Sequence, residues 1–301
     1  MRLSVAVFVV SSAAAAFAQE FPSELVRFAA YEGNPVFTAG GEGRWDAKIR
    51  ERGWILVEDG VWKLWFTGYD GTRAGKKMLG YATSTDGVRW TRHPKNPVYS
   101  ERWVEDVTVV RDGETLYMFA EGEGDRAQLL TSADGVEWNW RGFLDVRRAD
   151  GRPLTPGPYG TPTVWKEDGV WRLFYERRDA GVWLAASRDM EVWINESDEP
   201  VLRPGPDSYD GLLIAMNQIV KRGGVYYAYY HGRGPDSPNW CSCIAASEDL
   251  LRWRKFAGNP LLPRRENKSS PVLVDDGRRY RLYTMHDKVD LHLPSDSFGE
   301  R

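Results

Sequence analysis

Large apolar residues alternate with polar ones in short runs along this chain. Trp62, Leu64 and Phe66 form one such set, and Trp171, Leu173 and Tyr175 form another. A period of two places each set on one face of a strand. The runs come in pairs separated by turn residues: Asp59-Gly60, Asp112-Gly113, Asp168-Gly169 and Asp276-Gly277. Asp-Gly is the residue pair that a two-residue hairpin turn demands. The pattern predicts five hairpins, over residues 54–66, 107–119, 163–175, 218–230 and 271–283.

A second pattern repeats behind four of them. Ser-x-Asp-x-x-x-Trp occurs at Ser84/Asp86/Trp90, Ser132/Asp134/Trp138, Ser187/Asp189/Trp193 and Ser247/Asp249/Trp253. Three of these are followed by a residue and proline, at Asn96-Pro97, Glu199-Pro200 and Asn259-Pro260. The fifth hairpin lacks the motif, but Asn34-Pro35 follows Phe28 near the N-terminus with the same step. An N-terminal strand can therefore complete the last repeat. Four antiparallel strands per repeat, a period of roughly 50 residues and shared termini describe a closed ring of blades with no free sheet edge. The expectation is an all-β, five-bladed β-propeller over residues 19–301, with the last blade closed by the N-terminal strand. A two-sheet sandwich does not explain five hairpins in regular register. The motif aspartates belong to the turns, where the side chain organises its own loop.

Composition agrees. Of 301 residues 13% are aromatic, including 14 Trp, with 30 Gly and 17 Pro. Such a chain buries a sizeable core and is not disordered. The formal net charge of −3 gives no electrostatic reason to expect a nucleic-acid partner. Arg2, an apolar run over 3–10 and the small residues ending Ala16-Phe17-Ala18 read as a secretory signal peptide over 1–18, cleaved before Gln19. The expectation is export to the periplasm or the extracellular space, with no membrane insertion after cleavage. Cys241 and Cys243 point to one face of a strand and read as packed residues. The sequence specifies no cofactor and no metal cluster, and leaves a structural cation on the ring axis unread.

The Asp-Gly turns, aromatic second strands and closing Asn-Pro edges resemble the five-bladed glycoside hydrolases of families 43, 32, 68, 117 and 130. The chain has neither the family-32 Trp-Met-Asn-Asp-Pro-Asn-Gly run nor a family-43 Glu-Gly-Pro segment, so no one family is assigned. The Ser-x-Asp-x-x-x-Trp turns are similar to sialidase Asp-boxes but one residue shorter, and sialidase activity does not follow. The resemblance implies a carbohydrate substrate.

In a propeller the loops between second and third strands, and those between blades, share one end of the axis. The long connections 35–53, 145–160 and 200–215 fall there, where pockets form. Aligned on the first hairpin glycine, the second strands end at Thr67, Glu121, Glu176, His231 and Met285. Tyr69, Asp70, Glu123, Arg177, Arg233, His286 and Asp287 lie beside them. The first strands start at Gly53, Asp106, Pro162, Asn217 and Ser270, with Glu105, Glu51 and Arg52 adjacent. Acids recurring at equivalent ring positions point to a site.

Cleaving a glycosidic bond needs one carboxylic acid to protonate the leaving oxygen and one carboxylate to activate water or attack carbon. Asp106 is placed as base or orienting carboxylate, Glu176 as general acid, and Glu121 as the neighbour that raises another acid's pKa. The resemblance implies a further carboxylate in blade 1, either Asp46 or Glu51, with Glu51 held in reserve. A family-117-like reading makes His231 the acid. Trp45, Tyr69, Tyr159, Tyr209 and Trp240 are candidate sugar-stacking residues. Asp46, Arg52, Asp70, Glu105, Arg177, Asn217, Arg233 and His286 join the substrate-binding set. A glycoside hydrolase is the first expectation. The alternatives are a non-catalytic glycan-binding propeller and a phosphorylase, with Arg50, Arg52, Arg177 and Arg233 as phosphate ligands.

Overall fold

The computed structural model describes residues 21–296. The expected signal peptide lies outside them. Five small sheets make the fold. Blade 1 runs Lys48–Glu58, Val61–Tyr69, Met78–Ser84 and Thr91–Arg92. Blade 2 runs Glu105–Asp112, Thr115–Gly122, Arg126–Ser132 and Asn139–Phe143. Blade 3 runs Gly160–Glu167, Val170–Glu176, Val182–Ser187 and Val192–Asn195. Blade 4 runs Leu213–Arg222, Val225–Arg233, Cys241–Ser247 and Arg254–Lys255. Blade 5 takes Pro271–Asp275, Tyr280–Met285 and Val289–Pro294 from the C-terminal part, and Phe28–Ala30 as its outer strand.

That last strand pairs antiparallel, Phe28 opposite Pro294 and Ala30 opposite His292, and closes the ring as the sequence predicts. The short helix Ser23–Val26 before it buries Leu25 and Val26 in the seam between blades 4 and 5. The first strands of neighbouring blades contact one another all the way round, from blade 1 to blade 5 and back. Apolar side chains fill the seams between blades; Trp65 of blade 1 packs against Trp138 of blade 2, and Phe119 of blade 2 against Trp171 and Trp193 of blade 3. A sheet hydrophobic on both faces buries itself only when stacked this way.

The turn motifs are structural. Asp86 Oδ1 accepts the Val88 and Arg89 amides at 2.9 and 2.8 Å while Ser84 Oγ accepts the Gly87 amide at 2.9 Å. Asp134, Asp189 and Asp249 build the same loop. In blades 2, 3 and 4 the motif Trp closes it by donating its indole N–H to the carbonyl of Gly135, Met190 or Leu250. The asparagines of the Asn-Pro pairs act as a substitute strand. Asn96 exchanges two hydrogen bonds with the backbone of Tyr81, Asn259 with Ile244, and Asn34 with Leu291.

Blade 3 departs from four antiparallel strands. Asp145–Arg147, inside a connection expected to be an open loop, runs parallel to the outer strand Val192–Asn195 as a fifth strand. The Asn-Pro clamp is replaced by Glu199-Pro200 in this blade, and the passing segment covers the exposed edge instead. Cys241 and Cys243 are buried free thiols, with sulfurs 3.7 Å apart. Among the described residues no helix is long and apolar enough to cross a membrane.

Candidate functional site

Just after entering the ring, the first strands lose register with their partners. The ladder breaks between Arg50 and Trp54, between Glu105 and Thr108, between Gly160 and Thr163, and between Met216 and Gln218. Bulges of this kind re-aim side chains. The residues in them carry left-handed backbone that non-glycine residues adopt at a cost: Glu51 at φ 55°, Asp106 at 49° and Thr161 at 44°, with Ser270 at 51° in blade 5. The bulge of blade 1 spans one residue more than those of blades 2 and 3, and the hairpin glycine sits second in the two-residue turns of blades 1 and 3 but first in that of blade 2; the two offsets together shift the equivalence read from the hairpin glycine. Glu51 matches Asp106, where Gly53 was expected; Thr161 takes the place expected for Pro162.

These bulges and the ends of the second strands surround a cavity of about 690 Å³. Of the expected residues, Glu51, Tyr69, Glu105, Asp106, Glu121, Glu176, His231 and His286 line it, as does Trp240. Glu121 and Glu176 face each other across Gly160. A Cβ on Gly160 would lie 2.1 Å from Glu121 Oε2 and 2.8 Å from Glu176 Oε1. Glu121 Oε2 accepts the Thr161 amide at 2.8 Å, and Glu176 Oε2 accepts the Asp179 amide at 2.5 Å.

The acids divide by charge state. Burial would raise Glu51, but the His286 imidazole 3.4 Å away and the Arg50 guanidinium at 2.6 Å hold its carboxyl down to about 2. Burial, with Asp179 beside it, pushes Glu176 up to about 7. Asp106 is raised to about 7 by burial and by the charge of Glu51, and Glu105 to about 8 by burial. Glu121 stands well above the usual carboxylate range through burial and the acids around it. Asp179 is raised to about 6, again by burial first. His231 is buried and pushed down to about 4, so near neutral pH it is a neutral imidazole and a poor proton donor. Its Nδ1 lies 3.2 Å from Asn217 Nδ2, and its ring meets Trp240 edge-on at 4.8 Å.

Several expected binding residues lie elsewhere. Arg52 is fully buried below the cavity floor and bonds the carbonyls of Asp106, Val107, Pro162, Met216 and Asn217, together with Thr163 Oγ1. It ties blade 1 to blades 2, 3 and 4 and has no donor left for a ligand. Asn217 is buried and orients His231. Asp46 is buried in an ion pair with Arg92, and Trp45 packs on Phe66. Asp70 turns inward on its own loop to accept from Thr72. Arg177 holds the loop at Thr155 and Pro158, Tyr159 donates to Leu144 O, and Tyr209 is core. Arg233 stands 5.4 Å over the Trp240 ring, behind the lining. Of the four arginines read as phosphate ligands, only Arg50 reaches the cavity.

Sequence reasoning missed Lys77, Trp103, Asp125, Arg178 and Asp179, which also line it. Asp179 was within reach, because a ring acid three residues upstream places it on the same loop. Lys77 and Trp103 carry no such signal. Among the described residues no group of three His, Cys, Asp or Glu is arranged to hold a metal ion.

Fold and cavity together define a five-bladed propeller with a carboxyl-rich pocket at one end of its axis. The chain resembles propeller glycoside hydrolases without assignment to one family, and no protein-family model matches it. Over 194 residues, 58% of the chain, it is 26% identical to a fructan β-fructosidase of Streptococcus mutans, but spans only 13% of that protein. A glycosyl hydrolase of Bacteroides ovatus has the same fold, with TM-score 0.72 and 17% identity over 90% of this chain and 95% of that one. So does β-1,2-mannobiose phosphorylase of Listeria innocua, with TM-score 0.71 and 15% identity over 89% and 96%. A structure from the GH130 family, described as mannoside phosphorylases containing glycoside hydrolases that target β-1,2 mannosidic linkages in Candida mannan, matches with TM-score 0.74 and 17% identity over 91% and 96%.

Proposed function

We propose that this chain is an exported glycosidase that cleaves a glycosidic bond of an oligo- or polysaccharide. The observation that carries this reading is one cavity holding both a carboxylate kept ionised, Glu51, and a carboxyl kept protonated to about pH 7, Glu176. Those are the two states that glycoside cleavage requires of its acid pair. The glycosidic activities named for proteins of the same fold support the reaction class.

In this scheme Glu176 gives its proton to the leaving oxygen. Glu51 takes the proton of a water molecule as that water attacks the anomeric carbon. The base role passes from Asp106 to Glu51, because Asp106 is buried with its carboxyl raised to about 7, and its Oδ1 is taken by the Arg52 amide at 3.3 Å. Burial first, and then Asp179, keeps Glu176 protonated, with Asp106 a smaller contributor, so the pKa-raising role expected of Glu121 falls to Asp179. Arg50, Arg73 and Lys77 on the same cavity favour phosphorolysis as a second reading, in which free phosphate replaces water.

The test is a panel of aryl glycosides and oligosaccharides, with and without phosphate, against the protein from Gln19 onward. Wild type should release sugar, and Glu176→Gln should lose about 100-fold to 10,000-fold in kcat on poor leaving groups. Saturable glycan binding without turnover by either protein would support the binding-module alternative. N-terminal sequencing of the exported chain should read from Gln19.

A further inference from the structure

We infer that the blade 1 wall of this cavity is an oxyanion subsite, in which Lys77, with Arg50 and Arg73, takes an acidic group carried by the glycan. The inference rests on the glycosidase reading for the word glycan and on the geometry of the wall for the rest. Lys77 is 1% exposed, yet it lines the cavity. Its ammonium sits between two rings, 4.5 Å from the centre of Tyr69 and 4.4 Å from that of Trp103. It donates one hydrogen bond, to Gly75 O at 2.8 Å. An ammonium carries three N–H donors, so two remain unassigned among the described residues. No carboxylate of the described residues lies in ion-pair contact with it. Glu105, Asp70 and Glu51 act on the ammonium only from a distance; a buried charge with no counter-charge in contact is costly, and an anion entering the cavity would supply one.

The surroundings are donor-rich. Trp103 Nε1 is buried without a hydrogen-bond partner among the described residues. Arg50 lies on the same wall, pairing with Glu51 and reaching Glu105 Oε2 at 3.1 Å. Arg73 stands exposed at the rim, on the loop that leads to Lys77. Glu105 is the acid that would neutralise this sector, but burial raises its carboxyl to about 8, which leaves it mostly protonated near neutral pH. The ionised acid of blade 1, Glu51, is taken up by Arg50 and His286, and Glu176 and Asp179 belong to blade 3. A group with acceptors only and a negative charge fits a wall of this kind, and the two flanking rings suit the apolar face of the sugar that bears it.

A uronate carboxylate, a sugar sulfate and inorganic phosphate share this chemistry, and the experiment separates their sources. The protein from Gln19 onward is titrated calorimetrically at constant ionic strength with galacturonate, glucose 6-sulfate, inorganic phosphate and neutral galactose. At least one anion should bind, and Lys77→Met should weaken it about tenfold or more, the loss of one charged hydrogen bond. Arg73→Ala, an exposed change that cannot compromise the core, should weaken it several-fold. Binding of the sugar acid or sulfate places the anion on the glycan; binding of phosphate alone assigns the same site to a free co-substrate. No anion binding, or binding indifferent to both substitutions, overturns the subsite. Turnover of neutral glycans with no anion response removes the subsite and leaves the glycosidase; anion binding without turnover on any glycan does the reverse.

Discussion

Glu51 and Glu176 are both buried glutamates in one cavity, and they differ in charge because their neighbours differ. Glu51 has an imidazole and a guanidinium against it; Glu176 has Asp179 and a backbone amide. The pH dependence of turnover follows. In the proposed scheme the acid must hold its proton, so activity should fall as pH rises through about 7, to which Glu176 is raised. The base must be ionised, and at about 2 Glu51 stays so throughout the mildly acidic range. Wild type should therefore show an alkaline limb and no acid limb above pH 4 or so. Replacing His286 by Asn removes one of the two positive partners of Glu51 and leaves Arg50. Its carboxyl then moves up from about 2 toward the ordinary value near 4.3, and an acid limb should enter the pH–rate profile while the alkaline limb stays put. A profile unchanged by His286→Asn would remove Glu51 as base.

At the scale of the element, the working feature is the bulge near the start of the inner strand in blades 1 to 4. Gly160 shows how tightly the blade 3 bulge is fitted. Its bare Cα leaves room for Glu121 and Glu176 to meet, and a Cβ there would come within hydrogen-bonding distance or closer of both carboxyls. Gly160→Ala should cost about 1–3 kcal/mol of stability through overpacking. It should lower kcat by about 100-fold through misplacement of the acid, both checked by thermal melting and initial rates. The strands around this bulge were legible in the sequence, because alternation and Asp-Gly turns report local geometry directly. Glu121, Glu176 and His231 were legible for the same reason, since second strands keep strict register with their hairpin turns. The bulge was not. An extra residue in the first strand of blade 1, and a hairpin glycine one place later in its turn than in blade 2, leave no trace in hydrophobic alternation, so Gly53 stood where Glu51 belongs, and Arg52 read as a ligand of substrate when it fastens the strands below. Lys77 and Trp103 come from loops whose path is set by packing between blades, and no local pattern announces them.

For the whole molecule, the ring imposes its geometry on the site and bears the electrostatic consequence. Five inner strands converge on one axis, and Arg52 satisfies carbonyls from three blades besides its own. The convergence crowds Glu105, Asp106, Glu121 and Glu176 into one low-dielectric space, where each has its pKa raised mainly by burial. An acid with a raised folded pKa holds a proton that the unfolded chain releases, so its contribution to stability is fully present below the unfolded value near 4.3. That contribution is lost as pH rises through the folded value. Glu51 has the opposite sign, but its transition lies below that window; His231 and His292, held down to about 4 and about 3, oppose the decline only up to the free imidazole value near 6.5, where the raised acids outnumber them. The melting temperature should therefore decline from pH 5 to pH 8, across the range set by Glu176 and Asp106 at about 7 and Glu105 at about 8. Glu105→Gln keeps the shape and the acceptor of the protonated acid but cannot ionise. It should raise the melting temperature at pH 8 more than at pH 5 and flatten the decline between them. A melting temperature independent of pH in wild type would mean that water reaches these carboxyls in solution and that the charge separation between Glu51 and Glu176 is not maintained by the ring.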